Sequence, residues 1–169
     1  SVARGEANEK SDLDLLVHRE HAKYAVTALQ ELGYVVENCH TLASTHFADE
    51  NEIRLVKPGH APITVEVHWH LLDSPFYERH LPMEWFWETA QPLSVGLHPA
   101  LTLAPGARML RLCAHLLVHH GGRGLLWQAD IAEMLRIYGE KIDWDELIGR
   151  AVAWKLVLAL QSGLEGVER

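Results

Sequence analysis

Cysteine is scarce in this chain: Cys39 and Cys113 are the two in 169 residues. A pair so far apart builds neither a disulfide framework nor a CxxC metal knuckle, and it fits a reducing compartment. Long apolar runs are missing too. No stretch reaches the roughly 20 residues needed to cross a bilayer, and no basic segment with a signal-type apolar core opens the chain, so the expectation is a cytoplasmic protein without a membrane partner. Positive charge is also in deficit, with 15 Lys and Arg against 23 Asp and Glu. Non-specific nucleic-acid binding needs clustered cations, which disfavours an extended nucleic acid as partner. A small polyanion such as a nucleoside triphosphate stays compatible, provided divalent cations neutralise it at a carboxylate cluster. Internal repeats and low-complexity tracts are absent.

What is present suffices for a core: 48% of the residues are hydrophobic, enough for one domain or a domain with a helical extension. Asp12 to Val17 (DLDLLV) reads as a buried strand after the turn-rich stretch from Gly5 to Ser11. Ala22, Ala25, Val26, Leu29 and Leu32 follow helical spacing over Arg19 to Leu32, with Gly33 where a C-terminal cap belongs. The pattern then turns to β at Tyr34 to Val36, His46 to Phe47, Ile53 to Val56 and Ile63 to His70, with Lys57-Pro58-Gly59 as a turn. Asp73-Ser74-Pro75 has the form of a helix start, and the aromatic stretch Phe76, Tyr77, Trp85, Phe86 and Trp87 reads as packing. From Pro105 onward the spacing is helical, in segments near 106–120, 124–138, 143–151 and 153–166.

Strand alternation puts Asp12 and Asp14 on one side, about 7 Å apart along the chain, with Leu13 and Leu15 toward the core. Like charges so placed repel unless a cation lies between them, which points to metal; two solvated residues at a strand end give the same pattern. The segment Ile63 to His70 alternates, with Ile63, Val65, Val67 and Trp69 on one face and Thr64, Glu66, His68 and His70 on the other. If that strand lies beside the Asp12–Asp14 strand, Glu66 completes a three-carboxylate cluster able to hold two Mg²⁺ ions, with Mn²⁺ as a substitute, for in-line displacement at phosphorus. A solvent-facing strand residue is the plainer account of Glu66 taken alone.

The opening run from Ser1 to Asp14 resembles the motif of DNA polymerase β-like nucleotidyltransferases, in which Gly-Ser is followed by ten residues and then Asp-x-Asp. Ten residues separate Ser1 from Asp12 here. The resemblance implies that Ser1 contacts the triphosphate, with Arg4 and Lys10 as phosphate neighbours. The family's Gly would precede Ser1, so the expectation is a catalytic core that is incomplete at its N-terminus. Asp12 to Val17, Leu32-Gly33-Tyr34 and Val65-Glu66-Val67-His68-Trp69, with helical pieces at Leu112 to His120 and Leu125 to Leu135, are similar to a less characterised bacterial branch of that superfamily. The fold implied is α+β: a polymerase β-like core with a small mixed sheet over residues 1–98, then a helical subdomain over 99–169. The activity implied is transfer of a nucleoside monophosphate, AMP from ATP, to a hydroxyl of a small molecule or protein, releasing pyrophosphate. Asp12, Asp14 and Glu66 are the expected catalytic, metal-binding carboxylates.

Two other readings stay open beside this one. A non-catalytic nucleotide-binding or antitoxin-like protein of the same fold would act through its surface, as a homodimer or on a toxin-like protein partner. A zinc protein would use histidines such as His115 and His119, one helical turn apart, although hydrogen-bonded structural histidines fit that helix as well. His68 and His70 share the face of Glu66 and are candidates for substrate contact or for orienting Glu66, or they cap the sheet. Asp130 is a candidate acceptor-side base or an ion-pair partner, and Trp144 and Trp154 read as core.

Overall fold

A computed structural model describes residues 12–37 and 51–167. Ser1, Arg4, Lys10, Cys39 and the strand expected at His46 to Phe47 lie outside them. The chain forms two compact units, one ending at Asp73 and the other starting at Ser74. The boundary drawn from sequence at 98/99 falls inside the second.

The first unit contains β1 (Asp12–Leu16), a 3₁₀ turn (Arg19–His21), α1 (Ala22–Glu31), β2 (Val35–Val36), β3 (Glu52–Lys57) and β4 (Ile63–His68). The strands form one mixed sheet in the order β1-β4-β3-β2, with β1 parallel to β4 and the other pairs antiparallel. Helix α1 ends where glycine allows it: Gly33 takes a φ of +87°, its N–H reaches the Gln30 carbonyl and the Tyr34 N–H reaches that of Leu29. That 6→1 and 5→2 pair satisfies carbonyls the helix would otherwise leave open. The helix buries Ala22 and Val26, and Val26 joins Leu55, Val65 and Val67 in the core of the unit.

Leu13 and Leu15 depart from expectation. Both are exposed, Leu13 by 55% of its surface, although they stand level with the buried Val65 and Val67. Strand β1 lies at the edge of the described sheet, and α1 packs on β3 and β4. Alternation correctly predicts which side a residue takes, but the reach of the covering helix decides whether that side is buried.

The second unit begins with α2 (Pro75–His80), entered through an extended Ser74 and an N1 proline, and continues with α3 (Glu84–Glu88). A hairpin of β5 (Gln91–Val95) and β6 (His98–Thr102) follows, turning at Gly96. Sequence reading missed it, because Pro92 and Pro99 argue against strands and β5 is exposed on both sides, leaving no alternation to detect. Four helices complete the unit: α4 (Pro105–His120), α5 (Leu125–Tyr138), α6 (Trp144–Ala153) and α7 (Val157–Glu165). The Asp143 carboxylate caps α6 by accepting the Glu146 N–H at 3.0 Å, and Lys155 at φ +62° separates α6 from α7. Trp85, Phe86 and Trp154 meet ring to ring, and Trp85 Nε1 donates to Glu146 at 3.0 Å. Trp154 is thus core, as its spacing suggests. No helix among the described residues is long and apolar enough to cross a membrane.

Candidate metal centre

Sheet register assembles the site. The parallel pairing of β1 with β4 sets Asp12 beside Thr64, Asp14 beside Glu66 and Leu16 beside His68. The antiparallel pairing of β4 with β3 sets Glu66 beside Arg54 and His68 beside Glu52. Because paired residues share a face, Asp14, Glu66 and Arg54 form one row across three strands, and His68 with Glu52 stands in the next row. This polar face is opposite the one that carries Val65, Val67 and Leu55 into the core.

Within it, Asp14, Glu66 and His68 each offer one ligand atom, and these atoms lie within 4.8 Å of one another. The His68 ring is mostly buried. Its Nδ1 is 3.1 Å from Glu52 Oε2, while Nε2 lies 3.8 Å from Asp14 Oδ1 and 3.5 Å from Glu66 Oε2. The first is a hydrogen bond. The other two are ionic contacts too long for one, and Nε2 has no hydrogen-bond partner among the described residues. Burial opposes a charge on this imidazole, but the adjoining Asp14 and Glu52 carboxylates outweigh it and push the pKa up to about 9. Without a metal, a proton on His68 therefore supplies the positive charge that the carboxylates need. Arg54 supplies a second at the row's far end, 3.0 Å from Glu37 and 3.5 Å from Glu66.

The donor chemistry fits a divalent cation. Two carboxylates from adjacent strands converge with an imidazole nitrogen that has no hydrogen-bond partner among the described residues, and hard cations take carboxylate oxygen readily. Thr64 Oγ1, fully buried beside the start of β1, also lacks a hydrogen-bond partner among the described residues.

Of the residues expected from sequence, Asp14, Glu66 and His68 come together. Asp12 opens β1 with its backbone in register with Thr64. His70 lies beyond the end of β4, buried, where its Nδ1 accepts the Leu72 N–H at 3.2 Å, and Asn51 donates to the Leu72 carbonyl. Its ring ties down the chain after the strand rather than joining the cluster. In the second unit, His115 and His119 stack at 4.5 Å, but the close nitrogen contact is between His115 and His120, Nε2 to Nε2 at 3.2 Å, with Trp127 against both rings. Sequence reading missed Glu52 and Arg54. Each becomes visible only once β3 is aligned antiparallel to β4, a non-local fact; the one available signal was a charged residue on either side of Ile53.

Residues 7–169 match the model of a family described as uncharacterised nucleotidyltransferase, and the chain belongs to that family. A search of curated proteins found no match.

Proposed function

We propose that this member of the nucleotidyltransferase family moves a nucleoside monophosphate, AMP from ATP, to a hydroxyl of a small molecule or protein, using Asp12, Asp14 and Glu66 as carboxylates for divalent cations. The observation that carries the reading is the register of β1 on β4, which sets Asp14 directly beside Glu66 on the polar face of the sheet. A pair of bound Mg²⁺ ions, or Mn²⁺ in their place, would neutralise the triphosphate and the charge that builds up on the leaving pyrophosphate.

The remaining work falls to the chain itself. The acceptor oxygen bonds to the α-phosphorus as the bond from that phosphorus to the pyrophosphate oxygen breaks, and the hydroxyl proton passes to a base at the site, the role proposed for Glu66. Arg54 on one side and His68 on the other fix the position of Glu66, which is only 18% exposed. Ser1, Arg4 and Lys10 are proposed to contact the phosphates through one hydroxyl and two cations, although Glu6 and Glu9 leave the segment without net charge.

Labelling decides the matter. The full chain is incubated with ATP labelled at the α-phosphate, Mg²⁺ and a fractionated cell extract. Transfer of label to an acceptor that falls at least about a hundredfold in Glu66→Gln and Asp14→Asn supports the proposal. Equal labelling by both variants would overturn it.

A further inference from the structure

We propose that Glu52 and His68 add a nitrogen donor to the carboxylate pair, so that the site takes Mn²⁺ in preference to Mg²⁺. The inference rests on the reading above that Asp14 and Glu66 hold a divalent cation, and it specifies which one.

Glu52 and His68 are directly opposed across the antiparallel β3–β4 pair. The 3.1 Å contact from Nδ1 to Glu52 Oε2 assigns the Nδ1 proton, because a carboxylate accepts only from an N–H. The neutral ring then presents its lone pair at Nε2, on the side where Asp14 and Glu66 converge at 3.8 and 3.5 Å. A carboxylate behind the imidazole, fixing its tautomer and raising its basicity, is the outer partner that metal-bound histidines ordinarily have. Glu52 is therefore a positioning residue: it acts on the metal through His68.

The donor set that results is two carboxylate oxygens and one imidazole nitrogen. Mg²⁺ prefers an all-oxygen octahedron and gains little from imidazole. Mn²⁺ accepts carboxylate and imidazole together, so the nitrogen favours it. A site holding His68 only as an ion-pair partner would leave the nitrogen outside the metal's coordination.

The test is Mn²⁺ and Mg²⁺ binding by calorimetry to the full chain stripped with EDTA, alongside pulsed EPR of the Mn²⁺-loaded protein. Wild type is expected to show a nitrogen hyperfine coupling that His68→Gln lacks. His68→Gln and Glu52→Gln are expected to weaken Mn²⁺ about 10- to 100-fold, with Mg²⁺ changing far less and Glu52→Asp recovering part of the loss. Circular dichroism confirms the fold of each variant, and if one fails to fold, the wild-type spectrum decides alone. Mn²⁺ bound without nitrogen coupling would overturn this inference and leave the proposed function standing. Mn²⁺ that fails to bind where Mg²⁺ binds would likewise overturn this inference alone, whereas failure of both cations to bind, or binding to Asp14→Asn and Glu66→Gln as tight as to wild type, would overturn both.

Discussion

In protein stripped of divalent cations, the His68 imidazole should make stability depend on pH. Its folded pKa, about 9, exceeds the ordinary 6.5, so the folded state binds the proton more tightly. The stabilisation is then fully present below about pH 6.5 and fades as pH rises through about 9, with a total on the order of 3 kcal/mol. Urea titrations across that window should show the loss in wild type and not in His68→Gln; identical slopes would remove the ionic account of the cluster. Cys113 shows the opposite case of a group kept neutral. Burial alone pushes its thiol up to about 12, so a thiol reagent at pH 8 should leave Cys113 unmodified in native protein and modify it after unfolding. Rapid native labelling would contradict the packing around it. At this scale the sequence was informative where chemistry repeats locally. Asp14 and Glu66 could be singled out from alternation and an uneven distribution of charge, whereas Glu52 acquires a role only through its position opposite His68.

Among the elements, α7 packs tightly against α4 at Gly163. A Cβ added at Gly163 would meet Cys113 Sγ at 2.5 Å and Ile131 Cδ1 at 3.2 Å, so Gly163→Ala should destabilise by about 1–3 kcal/mol despite alanine's better helix propensity. Gly149, within α6, has nothing within 4 Å of such a Cβ, and Gly149→Ala should stabilise by about 0.5–1 kcal/mol. Thermal melts of the two variants should move in opposite directions; a shared sign would show that propensity rather than contact governs both. In the first unit, Leu55 is fully buried beneath α1, and Leu55→Ala should cost about 2–5 kcal/mol. Helices were legible because their caps are local: Gly33, Pro75 and Asp143 each mark an end that the structure reproduces. The β5–β6 hairpin was not, since two prolines hide it, nor was the exposure of Leu13 and Leu15, which depends on how far α1 reaches across the sheet.

For the molecule as a whole, the formal charge of −8 and the polar face of the four-stranded sheet make the same demand. An anionic substrate is held only when cations accompany it, so nucleotide binding should require a divalent ion. The α+β class and the strand that delivers Glu66 could be anticipated because apolar and polar residues alternate in the sequence of β4, and burial follows that alternation from Val65 to His68. The sheet order that brings β1 alongside it is a long-range pairing that no local pattern encodes. The decisive measurement is thermal stability of the protein with ATP, with and without Mg²⁺, for wild type and for the Asp12→Asn/Asp14→Asn double variant. A ligand that binds only the folded state, present at about 100 times its Kd, should add roughly 2.7 kcal/mol. The account predicts that gain for wild type only when Mg²⁺ is present, and no gain for the double variant. An equal shift in the variant, or no shift in wild type with any of the four common nucleotides, would contradict it.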